Sequence, residues 1–508
     1  MPIHRRNGSI LRRGRDGNEE KIPPASCFSQ RYFVVRQEKG SFFDLLVSFV
    51  SWRRAEQVFL EDDSPEWIRE KLDKWGHRCV ILISIFVRKL IYVVRKPMKF
   101  FGLKVNYLLN LLDQNGGVLR LFFNILIGRL VVPEIGSDTF IGIIGQLDRR
   151  MDLYRRGNII HTSTAGGGNC IDFESKAVMD LCMMASKLAY ENENVVRSVI
   201  SDHWEMHFDE FYNCWDDMEM SKSTQMFILS DKAKDADLIL VSFRGTKPFD
   251  ADDWITDWDY SWYEIPTIGK VHMGFLEALG IVNRDDPNFS NCVENKAYTV
   301  LRLKLKSLLE EHPRAEFLLT GHSLGGALAI LFPILLVYHG EWELMSRMSG
   351  IYTFGQPRIG DEEVGNFMKV HVRNRYRRVV YCNDAVPRLP YDDEIFFFKH
   401  FGTCIYFNRK YQEMETEEVP NRNYLTIRYL LCAHLNAFWE FLRSFSMTKR
   451  YGSEYKESNL SILFRFFGLF MPGLSAHAPR DYINSIRLCN TGRRDYSSTA
   501  GSSDLRTT

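Results

Sequence analysis

From Ile171 onward the apolar positions fall into two rhythms. IDFESKAVMDLCMMASKLAY (171–190) repeats them every three to four residues, the spacing of a helix with a buried face. QMFILSD, ADLILVSF, AEFLLT, GIYTF and YRRVVY are instead short apolar runs bounded by turn residues, which predicts buried strands. The first two read as a pair; the others are separated by helical stretches. Strands alternating with helices predict an α/β domain over residues 171–490, built on a mainly parallel sheet covered on both faces. Chemistry in such sheets collects at the carboxyl ends of the strands.

Upstream the pattern changes. Residues 74–132 carry ten Lys/Arg and one acid, Asp113, amid apolar runs, none of which reaches the roughly eighteen charge-free residues of a simple spanning helix. Read as a helix, VLRLFFNILIGRLVV (118–132) sets Arg120, Asn124 and Gly128 at successive i+4 positions, a narrow polar stripe on an apolar cylinder. Residues 80–96 repeat the plan with Ser84, Arg88 and Arg95. Such helices suit a lipid interface, with cations near anionic headgroups, and they equally suit a helical subdomain packed on the catalytic domain. A hairpin turning at Gly116-Gly117 serves both readings. Residues 25–150 are thus expected to form a helical, basic and apolar region, joined by a linker over 151–170 that contains three consecutive glycines. The polar ends, 1–24 and 491–508, are expected to be disordered tails.

Composition narrows the class. A chain of 508 residues, 45% hydrophobic and 25% charged, is long enough for one large domain plus a substantial extra segment. With 65 Lys/Arg against 64 Asp/Glu, the overall charge points to no nucleic-acid partner. The imbalance is local: residues 1–100 hold 20 Lys/Arg and 12 Asp/Glu. Ten cysteines without a CxxC pair argue against a zinc site or a disulfide framework. No apolar core follows the N-terminal arginines, so a secretory signal is not expected and a cytosol-facing setting is.

The chemistry centres on TGHSLGGA (320–327), between the apolar run ending at Leu319 and the one beginning at Leu328. Gly321 and Gly325 stand two residues to each side of Ser323, with His322 between, which is the G-x-S-x-G elbow that lifts a serine hydroxyl clear of a sheet. Such a serine needs a base, and the base an orienting acid, in the chain order Ser, Asp/Glu, His. Asp384 in YRRVVYCNDAVPRLP follows a predicted strand and opens a Pro-punctuated loop, whereas Asp392 and Asp393 read as exposed turn residues. Three histidines follow Asp384. His400 reads as a strand interior, His434 as part of an amphipathic helix, and His477 as a loop residue, so spacing alone favours His477 only modestly. The oxyanion requires fixed donors. The backbone N–H of Leu324 and the turn Arg244-Gly245-Thr246, at Thr246, are the candidates. Trp254 and Trp258, four apart in KPFDADDWITDWDYSWYEIP, suit either a lid that meets lipid or an ordinary buried pair.

Taken in order, FRGT, DWITDWDYSWYEIP, KVHMGF, GHSLGGALA, YTFGQPRIG and NDAVPRLP resemble the class 3 lipase family. The resemblance, over about 170–490, implies an α/β-hydrolase fold acting on acyl esters of glycerolipids without metal or cofactor. It implies Ser323 as nucleophile, Asp384 as acid, Thr246 as oxyanion residue and residues 251–262 as lid, with Trp254, Trp258 and Trp262. It also favours His477, a late histidine shortly before Tyr482, and makes His400 similar to a non-catalytic position. The basic apolar N-terminal region and an insertion at about 408–472 look like those of plant oil-body triacylglycerol lipases, whose members work at lipid-droplet surfaces. The expected function is therefore triacylglycerol hydrolysis at a lipid-droplet surface. A phospholipase A1 or galactolipase of the same family, a lipase-like binding or signalling protein, and a membrane scaffold are the competing readings.

Overall fold

The order of strands in the central sheet runs Glu413–Thr416, Thr403–Phe407, Tyr376–Tyr381, Met348–Phe354, Glu316–His322, Leu238–Phe243, Ser221–Ser230, His207–Asp216. The five middle strands, from Thr403–Phe407 to Leu238–Phe243, are mutually parallel, and antiparallel strands finish both edges. This is a computed structural model; it describes residues 11–13, 19–21, 31–62, 75–154, 159–162, 169–216, 221–285, 296–392, 397–423 and 426–489. The predicted tail 491–508, most of the tail 1–24, the triple glycine of the linker and Asp393 lie outside the described residues.

LILVSF at 238–243 is buried at every position, as expected of a strand covered on both faces. One face packs on the helices Leu324–Tyr338, Ala297–Glu311 and Met273–Leu279, the other on Lys176–Leu188 and Pro479–Leu488. Two apolar layers around a mainly parallel sheet, with a strand that ends in an elbow, constitute the α/β-hydrolase fold expected from the sequence.

The N-terminal region is helical but not wholly so. Tyr32–Val35 and Leu60–Asp62 are strands that join Trp262–Ile265 and Gly269–His272 in a four-stranded antiparallel sheet. A third apolar cluster, including Phe33, Trp52, Phe59, Ile81, Ile85, Tyr260 and Trp262, fastens this region to the last residues of the predicted lid segment. A single helix, Trp75–Gln114, contains Pro97 and spans the expected 80–96 helix. The chain does reverse at Gly116-Gly117, but the next helix is shorter than expected, Val118–Leu126 rather than 118–132. Gly128 adopts φ 69°, and Asn115 directs the chain beyond it: the side-chain amide donates to the Val131 carbonyl and accepts from the Val131 N–H, holding that segment extended. Among the described residues no helix is long and apolar enough to cross a membrane.

Candidate active site

The strand EFLLTGH ends in the middle of the sheet and turns at once into the helix Leu324–Tyr338. Between them Ser323 adopts φ 60°, ψ −133°, a conformation costly for any residue with a side chain. A Cβ on Gly321 would lie 2.2 Å from the carbonyl carbon of Gly325, and one on Gly325 would lie 2.3 Å from the oxygen of Phe243. Only hydrogens fit there, so these glycines let helix and strands close around the turn. Ser323 is 2% exposed, so its side chain is shut off from solvent.

Asp384 follows the parallel strand Tyr376–Tyr381, which lies two places along the sheet with Met348–Phe354 between, and is fully buried. Its Oδ2 accepts from His477 Nδ1 at 2.7 Å and from the Tyr482 hydroxyl at 2.5 Å, and its Oδ1 accepts from the Val386 amide at 2.9 Å. The loop is stapled from behind. Buried Arg388 donates to the carbonyls of Asp384 and Cys382, while Tyr429 from the insertion donates to the Asn383 carbonyl at 2.7 Å. Burial, with the Asp384 charge beside it, pushes the Tyr482 phenol well above its ordinary value, so it remains a donor.

His477 stands between the helices Pro472–Ser475 and Pro479–Leu488. With Nδ1 committed to Asp384, its Nε2 is buried and meets no protein hydrogen-bond partner among the described residues. That nitrogen is the lone pair a general base requires. The other two candidates are elsewhere. His400 is not in a strand interior; it precedes the Thr403–Phe407 strand, bonds the Pro387 carbonyl at 2.6 Å, and burial holds its pKa well below the ordinary histidine value. His434 lies exposed on the helix Ile427–Ser444, its Nδ1 2.8 Å from the Leu430 carbonyl oxygen.

Thr246 leaves the strand Leu238–Phe243 next to the elbow: a Cβ on Gly245 would come 3.0 Å from that of Ser323. The loop is tied to the following helix by Asp253, which accepts from the Lys247 amide at 2.8 Å and lies 3.5 Å from Arg244. Leu324 begins the helix whose N-terminus faces the same turn.

The predicted lid divides in two. Trp254 belongs to a short helix, Ala251–Asp257, with Trp258 capping its end, and both indoles are half-buried. Trp262 is a correction: it lies in the strand Trp262–Ile265, buried and stacked on Phe33 at 6.4 Å, so it is part of a core and not of a lid. The short helix is itself covered by the N-terminal helix Trp75–Gln114. Ser84 donates to the Trp258 carbonyl at 2.6 Å, and Phe101 meets Phe249 edge-on at 5.8 Å. Buried Arg88 pairs with Asp259 at 3.0 Å, and Asp259 also holds Arg284 at 2.9 Å. The two guanidiniums keep the Asp259 carboxyl far below the usual carboxylate range despite its burial.

Sequence reasoning missed three participants. The Tyr482 contact to Asp384 was marked only by its place after His477. Gly355, in YTFGQPRIG, has φ 60°, and its Cβ would sit 2.9 Å from both Asp384 Oδ2 and His477 Nδ1, so it is the floor beneath that pair. Tyr190, at the end of IDFESKAVMDLCMMASKLAY, bonds the elbow residue His322 at 2.8 Å. No periodicity signals such contacts, which join residues 98 positions apart at Tyr482–Asp384 and 132 apart at Tyr190–His322. Among the described residues no group of three or more His, Cys, Asp or Glu is placed to hold a metal ion.

Comparison with known proteins bears on the same region. Residues 240–394 match the family Lipase (class 3). The chain is similar to the triacylglycerol lipase OBL1 of Nicotiana tabacum, 47% identical with 92% of this chain and 96% of that protein covered. It is also similar to the triacylglycerol lipase OBL1 of Arabidopsis thaliana, 48% identical over 90% of this chain and 94% of that one. Among solved structures, Rhizomucor miehei triacylglyceride lipase aligns over 49% of this chain and 83% of its own, at 24% identity and a TM-score of 0.34.

Proposed function

The chain belongs to the class 3 lipase family, and from that premise we propose that it hydrolyses triacylglycerol at a lipid surface through Ser323, His477 and Asp384. The observation that carries this reading is the 2.7 Å bond from His477 Nδ1 to buried Asp384, with the His477 ring 4.4 Å from that of His322, the residue before a serine on a strained elbow. The carboxylate fixes the imidazole in the tautomer whose Nε2 can take a proton. In the proposed reaction Nε2 removes the Ser323 proton as Oγ attacks the ester carbonyl. The Leu324 amide and the Thr246 amide and hydroxyl hold the oxyanion. His477 then protonates the departing glycerol oxygen, and a water activated by the same nitrogen releases the acyl group.

The lipid-surface part of the proposal is supported by what the helices leave exposed. Leu119, Phe122, Phe123, Ile125 and Leu126 are exposed after the Gly116-Gly117 turn, with Arg120 among them. On the insertion helix Ile427–Ser444, Ile427, Leu431, Leu435, Phe438 and Leu442 form an exposed stripe beside Arg428, and its one carboxylate, Glu440, is buried. Apolar faces of this size bordered by cations suit an anionic lipid surface. A buried nucleophile suits a site that opens there.

The test is fatty-acid release from emulsified triacylglycerol by the full chain and by Ser323→Ala, with phospholipid and galactolipid emulsions in parallel. Release from triacylglycerol that vanishes with Ser323 supports the reading; equal release by both proteins, or preference for the polar lipids, rejects it.

A further inference from the structure

The residue before the serine makes no contact that the proposed reaction uses, yet it is completely buried against the base. His322 Nε2 lies 2.9 Å from the main-chain oxygen of His477, 155 residues away, and its Nδ1 lies 2.8 Å from the Tyr190 hydroxyl. A carbonyl oxygen can only accept, so Nε2 carries the hydrogen; Nδ1 then bears the lone pair and accepts from Tyr190. The order of donation runs from Tyr190 O–H to Nδ1, and from Nε2–H to the carbonyl of His477. Every atom in it is assigned by the one acceptor that cannot donate.

We propose that His322 is a positioning residue that holds the general base by its main chain, in one neutral tautomer fixed by that carbonyl and completed by the Tyr190 hydroxyl. The proposal rests on the reading of His477 as the base. Two anchors then define where Nε2 of His477 points. Asp384 grips the ring at Nδ1, and His322 grips the backbone from which the ring hangs. The backbone needs a grip of its own, because His477 stands in the short connection between two helices rather than inside either. The elbow thereby does two things at once: it raises Ser323, and through the preceding side chain it fixes the partner that must receive the Ser323 proton.

Neutrality is part of the device. The His322 and His477 rings are 4.4 Å apart and inclined by 31°. When His477 takes the proton it becomes a cation against the face of His322, which a neutral ring tolerates and a charged one would oppose. Burial first, and then the neighbouring His477, hold the His322 pKa well below the ordinary value, in keeping with this arrangement.

The experiment uses the full chain with a soluble short-chain p-nitrophenyl ester, so that lipid binding is not read. Active sites are counted by titration with a phosphonate inhibitor. His322→Leu, which keeps bulk and loses the donor, should lower kcat by about 10- to 100-fold with KM within about twofold, the size expected from a base displaced by a fraction of an ångström. His322→Gln, whose amide N–H can reach the same carbonyl, should recover most of the loss. Tyr190→Phe should reduce kcat on its own and add nothing in the His322→Leu background, because both act through one chain of hydrogen bonds. The acid limb of the kcat/KM profile should stay in place in all three, since geometry and not charge is altered. A Leu variant within threefold of the parent per active site, or Gln no better than Leu, overturns the proposal. His477→Ala tests the reading beneath it: a loss below about 10³-fold would remove His477 as base whatever the His322 variants do.

Discussion

Replacing Asp259 by asparagine should destabilise the protein through a residue that touches no reacting atom. Asp259 is fully buried and serves two guanidiniums, Arg88 of the N-terminal helix and Arg284, besides accepting from the Ser261 hydroxyl at 2.6 Å. Asparagine keeps the volume and removes the charge. Arg284 retains Glu277, which it meets at 2.6 Å, but Arg88 keeps only the neutral carbonyl of Val35 at 3.0 Å. Breaking a buried ion pair on one side costs about 3–5 kcal/mol, and because only Arg88 is stranded we expect the lower end, about 3 kcal/mol. Adding Arg88→Met removes the stranded cation and should bring the double variant back to within about 1 kcal/mol of the parent. Urea unfolding followed by tryptophan fluorescence reads this well, since Trp258 and Trp262 lie on either side of Asp259; where refolding fails, the unfolding rate serves in its place. An Asn variant within about 1 kcal/mol of the parent, or a double variant no better than the single, would refute the account of this cluster as the fastening between N-terminal helix and lid segment.

Other outcomes rest on the same geometry. Thr246→Ala should lower kcat on a soluble ester by about 10²-fold with little change in KM, the cost of one oxyanion donor; an unchanged kcat would take the hydroxyl out of the site. Trp262→Ala should cost about 3–5 kcal/mol of stability as a core cavity, while activity per folded molecule on a soluble ester stays near that of the parent; the opposite split would return Trp262 to a lid. His272 is fully buried, and desolvation lowers its pKa to about 4 against 6.5 when unfolded. Between those values the unfolded chain binds more protons, so stability should fall on acidification from pH 6.5 towards 4, by up to about 1.4 kcal/mol per pH unit for this group. His272→Gln should flatten that slope in urea midpoints taken at pH 7 and 5, and an unchanged slope would contradict the assignment.

The catalytic sheet was legible because its signals are local. LILVSF, EFLLTGH and YRRVVY each declare a buried strand within a few residues, and the elbow is contained in five. Spacing favoured His477 over His400 and His434 only modestly, and resemblance did the rest, since its bond to Asp384 joins residues 93 positions apart and depends on packing that periodicity does not carry. Trp262 misled for a related reason. An aromatic at the end of DWITDWDYSW has the look of the preceding indoles, but pairing with Phe33, more than two hundred residues earlier, assigns it to a sheet. The helix expected over 118–132 stopped early because Asn115 competes for the backbone of Val131, a long-reach bond that the apolar stripe conceals. Ser84 and Arg88, noted as a polar stripe suited to lipid headgroups, are instead turned inward to Trp258 and Asp259.

The central claim is that Ser323 is the nucleophile served by His477. It is tested most directly by treating the full chain with a lipophilic p-nitrophenyl phosphonate and mapping the adduct by mass spectrometry. The account predicts one adduct per chain, on Ser323, lost in Ser323→Ala and formed far more slowly in His477→Ala. An adduct on another residue, or equal labelling rates in the parent and His477→Ala, would contradict it.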